Sequence, residues 1–424
     1  MKKKILLFTF LIITTFSFAQ RTNSSPYSFF GIGDQAQLKS VEEIGMGLMG
    51  GALSSEYQLS FTNPASYASL KWTTYVFSGG NKVTTIDDGD ETQTSSAASL
   101  IYIAMGIPIK GNQGLVFGLQ LNTAVGYSLL DQTFEDIDGE NTLVETNLLT
   151  GEGGTNRVFL GYAYQFPFNL NVGLEAAYVF GGIDNSVVNR RLGVNLPTKH
   201  KTDSYVKGFS FKLGAQYNKN ISDDLKLKFG ASAETSSELN ERGTEQLETF
   251  QNIQGIDVPN NILYSEDYTA TIKSPIKTTL SSGIGQDNKW FVGADFTFQK
   301  ALEFDGGIYD DITTYQYKNS STISFGGFYT PKFNSISSYF NRVTYRAGAN
   351  YKKLGLVVNG TDINEYGMSF GVSLPMGLKI SNVNLGFELG KRGTTDNNLI
   401  KENFYNFRLS LSLNDRWFRK QKIY

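Results

Sequence analysis

Gly45-Met46-Gly47-Leu48-Met49-Gly50 matches the pattern G-x-G-x-x-G, whose glycines can let a backbone approach a pyrophosphate at a helix N-terminus. Its surroundings do not suit that chemistry. The motif follows the helix-like Ser40-Val41-Glu42-Glu43 instead of a buried strand, and no strand-helix-strand unit encloses it, so it reads as a flexible turn. His200 is the single histidine and lies between Lys199 and Lys201. A Ser-His-Asp hydrolase or an imidazole metal site would rest on this one cation-flanked residue. Asp87, Asp88, Asp90 and Glu91, and again Asp136, Asp138 and Glu140, offer oxygen ligands for Ca²⁺ but lack the EF-hand spacing. They read as solvated loop tips. Arg416, Arg419, Lys420 and Lys422 around Trp417 make a basic C-terminal end suited to an aqueous surface. No catalytic residue, metal or cofactor is expected.

The elements that would position any such residues are strands. Period-2 alternation recurs along most of the chain, with apolar or aromatic residues on one face and Gly, small or polar residues on the other. Leu115, Phe117, Leu119, Leu121, Val125 and Tyr127 alternate with Gly114, Gly118, Gln120, Asn122, Ala124 and Gly126; Tyr366, Met368, Phe370 and Val372 alternate with Gly367, Ser369, Gly371 and Ser373. Such runs fall near 71–80, 99–110, 113–129, 155–167, 170–181, 204–218, 224–236, 267–285, 289–303, 321–331, 341–352, 364–375, 382–391 and 402–414. Short connections alternate with long polar ones, the long ones including 81–98, 130–154, 182–203 and 237–266. An outer-membrane barrel has this rhythm of short periplasmic turns and long external loops.

Composition narrows the alternatives. The chain has 44 Gly, 31 Phe, 23 Tyr, 3 Trp and no Cys, with 38 basic against 40 acidic residues. That balance leaves no field to attract a nucleic acid. Mean hydropathy is −0.24, and nothing after the leader approaches the roughly 20 apolar residues of a spanning helix. A soluble β protein would favour Lys, Glu and Thr on its wet face, whereas glycine crowds the non-aromatic face here. Trp72, Tyr127, Tyr164, Phe166, Trp290, Tyr329 and Trp417 stand at strand ends, as interfacial aromatics do. Lys2, Lys3 and Lys4, an apolar run from Ile5 to Phe16 and the small residues Ser17 and Ala19 make a secretory leader. The expected division is a signal peptide at 1–19, an N-terminal plug at 20–70 and an outer-membrane β-barrel at 71–424.

Residues 20–70 are not strand-like. They hold a helix-compatible stretch from Asp34 to Ile44 and the glycine-rich Gly45 to Gly51, and a barrel of this size is too wide for its own side chains to fill. Met49-Gly50-Gly51, followed by Thr62-Asn63-Pro64-Ala65-Ser66-Tyr67-Ala68-Ser69-Leu70 just before the first strand, resembles the FadL family of outer-membrane transporters for long-chain fatty acids and other hydrophobic compounds. The opening Ser24-Ser25-Pro26-Tyr27-Ser28-Phe29-Phe30 and the ending Asn414-Asp415-Arg416-Trp417 are similar to Bacteroidetes members of that superfamily. The likeness is architectural over nearly the whole mature chain and sequence-specific only over the short segment, where Ser66 replaces the glycine common in the family.

This resemblance implies an all-β fold, a 14-stranded antiparallel transmembrane β-barrel with an N-terminal lumenal plug, or hatch, and no enzymatic step. It implies passive uptake of a hydrophobic small molecule through an apolar lumen pocket, with lateral exit through a gap in the wall. Asn63, Pro64 and Ala65 become the hatch motif, and Phe29, Phe30, Met46, Met49 and Phe61 the candidate ligand contacts. Partners would be outer-membrane lipid and the hydrophobic ligand, without nucleic acid, and both termini would be periplasmic. A second class stays open: a protein-binding barrel resembling a shuttle component of the type IX secretion apparatus, using the connections at 130–154 and 237–266.

Overall fold

The computed structural model describes residues 23–253, 256–306, 315–376 and 380–417. The expected leader and the tail residues Arg419, Lys420 and Lys422 lie outside the described residues. Fourteen antiparallel strands form one closed sheet: β1 (Thr73–Asp87), β2 (Thr92–Ile109), β3 (Gln113–Ile137), β4 (Glu140–Phe166), β5 (Leu170–Arg191), β6 (Thr198–Asn220), β7 (Lys226–Glu234, continuing as Ser237–Ile253), β8 (Ile256–Ser274, continuing as Lys277–Gln286), β9 (Trp290–Gln299, continuing as Glu303–Asp305), β10 (Tyr315–Tyr317, continuing as Ser320–Tyr329), β11 (Thr344–Val358), β12 (Thr361–Pro375), β13 (Asn382–Arg392) and β14 (Lys401–Asp415). β14 pairs with β1 in unbroken register, from Lys401 opposite Asp87 to Asp415 opposite Thr73. Closure leaves no sheet edge at that joint, as hydrocarbon requires.

The alternation decides which face is outside. On β12, Tyr366, Met368 and Phe370 are 59%, 58% and 54% exposed, while Gly367, Ser369 and Gly371 between them are buried. In water such ladders would be an aggregation surface; against lipid chains they are the stabilising face of an outer-membrane barrel. No helix among the described residues is long and apolar enough to cross a membrane.

Two expectations change. Most of the connections read as long polar loops are strand: β3 and β4 continue to a two-residue turn at Asp138 and Gly139, and β1 and β2 leave only 88–91 between them. Beyond the lipid band the strands continue to pair but no longer need an apolar face, so the hydrophobic period fades while the strand continues. Tyr127 is the second change. The register shifts between Leu121 and Thr123, which inverts the phase of the alternation. Val125 and Tyr127 are therefore buried, 2% and 4% exposed, in an apolar cluster with Val179, Ile183, Val206 and Ile272. Phe166, Tyr329 and Trp417 remain exposed at the short-turn end.

The insert, residues 23–70, descends through the lumen. At the long-hairpin end, Tyr27 and Phe30 pack with Leu356, Val358 and Ile363; at the short-turn end, Lys71 donates to Glu56 and Tyr57 stacks on Phe333. The helix expected from Asp34 to Ile44 is replaced by a strand pair and one turn. Asp34 and Gln35 pair with Ala124 and Thr123 of β3, so their backbone groups are used by the wall. Only Val41–Ile44 is helical, started by a capping box in which Ser40 and Glu43 satisfy each other's backbone N–H.

Candidate functional site

A belt of wall glycines grips the insert. A Cβ on Gly114 would fall 1.8 Å from the Tyr67 carbonyl oxygen, one on Gly173 2.4 Å from the Pro64 carbonyl carbon, and one on Gly214 2.1 Å from Asn63 Oδ1. Farther round, the same holds for Gly230 at Gly51 O, 2.1 Å, and for Gly326 and Gly348 at Met46, 2.1 and 2.2 Å. These strands carry glycine because the insert, in most cases its backbone, lies where a side chain would project. Where the belt lacks glycine it bonds: Asp295 accepts from the N–H groups of Gly50, 2.9 Å, and Gly51, 3.0 Å.

Polar fasteners fix the insert further. Asn63, fully buried, donates from Nδ2 to the carbonyls of Gly51, Ala215 and Ala231 at 3.0, 3.0 and 3.2 Å, and its Oδ1 accepts from Ala65 N–H at 3.0 Å. It caps the turn Pro64–Ser69. Tyr67 donates to Glu175, which is paired with Arg157 and lies 3.6 Å from Lys212. Higher up, Arg392 joins Glu365 and the insert's Asp34. Buried charges of this kind are tolerable only when so partnered.

Among the described residues, two cavities lie against the insert and a third lies in the wall. The upper one, about 340 Å³, is lined by Phe30, Ile32, Phe61, Phe304 and Leu356 but also by charge: eight basic side chains, Lys39, Lys82, Lys212, Lys277, Lys352, Lys353, Arg392 and Arg408, against Asp34, Glu234, Glu365 and Glu388. Several cations are incompletely matched. Among the described residues Lys39 donates only to Thr62 Oγ1, 2.7 Å, and Arg408 is buried with Nε and Nη1 lacking partners. The lower cavity, about 280 Å³, lies at the short-turn end and is lined by Ser40, Glu43, Met46, Tyr57, Ser60, Phe291, Phe328 and Arg346.

The insert separates the two, with Lys39, Phe61 and Thr62 lining the space above and Ser40, Glu43 and Ser60 the space below. Glu43 holds this partition. Its carboxylate accepts from Ser40 N–H at 2.7 Å, Ser60 Oγ at 2.7 Å, Thr62 N–H at 3.3 Å and Thr62 Oγ1 at 2.7 Å.

The third cavity is a slit in the wall. β2 and β3 pair only from Ile109 opposite Gln113 to Tyr102 opposite Gln120; above that level Thr92–Ile101 of β2, though paired with β1 on its other side, has no strand partner on its β3 side among the described residues, and the insert's Asp34–Gln35 takes part of β3's edge. The slit, about 500 Å³, shares Ser99, Ile101 and Leu121 with the upper cavity. Behind it Gly153 and Gly154 of β4 take φ of +107° and +132°, values that favour glycine and that kink the strand.

Of the residues singled out in the sequence, Phe30 and Phe61 line the upper cavity and Met46 the lower. Met49 is fully buried against Phe291 and Phe29 packs edge-on to Tyr127; neither lines any of these cavities. Asn63, Pro64 and Ala65 are at the glycine belt. His200 stands on β6, 2.6 Å from Glu245. Asp88 accepts from the backbone of Asp90 and Glu91 at 3.0 and 2.8 Å, which holds its carboxyl below the usual range. Among the described residues no group of three or more His, Cys, Asp or Glu is placed to hold a metal. Sequence reasoning missed Lys39, Glu43, Lys277, Arg346 and Arg408.

The family model BamG matches residues 1–424. No curated protein matches the sequence. Solved structures do: a Pseudomonas aeruginosa FadL homologue at 11% identity and TM-score 0.59, covering 91% of this chain and 100% of that one; the Pseudomonas putida toluene transporter TodX at 16% and 0.58, covering 90% and 100%; and the Ralstonia pickettii toluene transporter TbuX at 16% and 0.56, covering 88% and 97%. At these identities the likeness is one of fold, a FadL-type barrel.

Proposed function

The chain belongs to the BamG family, and from that and the lumen just described we propose that it is an outer-membrane channel for passive uptake of hydrophobic small molecules, favouring those with an anionic head, such as long-chain fatty acids. One observation carries the reading. The upper cavity is apolar in part, carries twice as many basic as acidic side chains, and shares Ser99, Ile101 and Leu121 with a slit in the barrel wall. Sites for small ligands are mostly apolar with a few convergent polar groups, and a desolvated cation holds a carboxylate strongly. The slit supports lateral passage between lumen and lipid, and nothing in the route needs a chemical step.

Replacing Lys39 and Lys277 together by methionine is expected to weaken binding of a labelled medium-chain carboxylate at least tenfold while leaving the matching alcohol unaffected. Equal loss for both probes would sink the anionic preference. Filling the slit by Ser99→Trp is expected to cut uptake of labelled oleate about tenfold without reducing carboxylate binding to the purified protein. Unchanged uptake would remove the slit from the route.

A second reading, a protein-binding barrel serving a type IX-like secretion apparatus, is favoured by the tall β3–β4 hairpin, whose β3 edge beyond Gly126 has no strand partner on the β2 side. Free edges accept added strands. Recovery of secreted proteins with the barrel, lost on trimming 131–145, would favour it.

A further inference from the structure

We propose that the lower cavity is a second anion-binding station, in which Arg346 receives the head of an anionic amphiphile that has crossed the insert. This rests on the uptake reading and adds an axial branch to the lateral one. Arg346 stands on an inward position of β11 and is 6% exposed. A guanidinium carries five N–H donors, yet among the described residues its one hydrogen-bond partner is Ser373 Oγ, 2.5 Å from Nη1, and Nε has none.

The other cations lining this cavity are paired: Lys71 with Glu56, and Lys226 and Lys228 with Asp287. Arg346 has no carboxylate within ion-pair distance among the described residues. Glu42 is the acid that acts on Arg346 through space, from beyond ion-pair distance, and its Oε1 is engaged by Asn384 Nδ2 at 2.9 Å. A buried guanidinium left with so few acceptors is costly, and an incoming carboxylate or phosphate monoester would fit its fork in a bidentate manner. Met46, Leu53, Tyr57, Leu59, Phe291 and Phe328 supply the apolar surround for a short tail. Because Ser40, Glu43 and Ser60 separate this space from the upper cavity, a ligand held here occupies a distinct site.

Equilibrium dialysis of the purified full-length barrel in an uncharged detergent tests this, with labelled decanoate and, in parallel, decyl phosphate. Two sites per chain are expected for the wild type, neither displaced by decanol. Arg346→Met should abolish one site, Arg346→Lys should restore it with at least tenfold weaker affinity, and the Lys39→Met, Lys277→Met pair should abolish the other. Each variant is checked for folding by its heat-dependent gel shift. Binding by decanoate alone or by decyl phosphate alone identifies the head group, and either result supports the station. Unchanged stoichiometry in folded Arg346→Met overturns it. If the lysine pair changes nothing while Arg346→Met loses a site, the upper-cavity reading fails and the lower station stands.

Discussion

Glu43→Leu is expected to turn a closed barrel into one that passes ions. The Glu43 carboxylate is the common acceptor for Ser40, Ser60 and Thr62, the residues that form the partition between the two lumen cavities. Leucine removes the acceptor and strands those donors out of reach of bulk water, at about 1–3 kcal/mol for each one left unmet. The partition relieves that cost by separating and letting water in. The wall is untouched, so the heat-dependent gel shift should persist. In planar bilayers the wild type should show no discrete steps and Glu43→Leu should show them, with Glu43→Gln between the two because it keeps one acceptor oxygen. Silent bilayers from a folded Glu43→Leu protein would mean that the partition does not depend on this carboxylate.

Gly173→Val is expected to unseat the insert. A Cβ there would overlap Pro64 and lie 2.6 Å from Ala65 N, and both belong to a turn already fixed by Asn63. Overpacking usually costs about 1–3 kcal/mol; here neither the closed wall nor the capped turn can yield cheaply. The insert should become cleavable by added protease while the barrel remains intact on an unboiled gel. Gly182→Ala is the matched control, since the nearest atom to its added Cβ is 3.6 Å away. Equal protease resistance in the two variants would show that the belt does not grip.

How much of this the sequence disclosed follows from the range of each interaction. The wall was legible because Tyr366, Met368 and Phe370 declare their face within one strand. Tyr127 was misplaced because a single extra residue at Leu121/Thr123 inverts everything after it, and nothing local marks the shift. Strand lengths were cut short where Thr142 and Thr146 continue a ladder without an apolar face. Arg157, Lys212 and Arg346 were visible as charges on faces otherwise given to Gly and Ser. Their meaning was not, because Glu175, Phe61 and Ser373 reach them from other strands or from the insert. The slit was hidden for the same reason: Ser95 to Ser99 reads as strand whether one neighbour or two face it.

The glycine belt also has a consequence in time. The insert is synthesised before any strand that holds it, yet its seats at Gly114, Gly214, Gly230 and Gly348 are spread over most of the chain's length. No seat is complete until distant strands have come together, and contacts of such sequence separation form late. Wall closure is therefore expected to precede docking. During refolding the gel-shifted form should appear first and protease resistance of residues 23–70 afterwards, with a short-lived intermediate in which a finished ring surrounds a thread that is still slack.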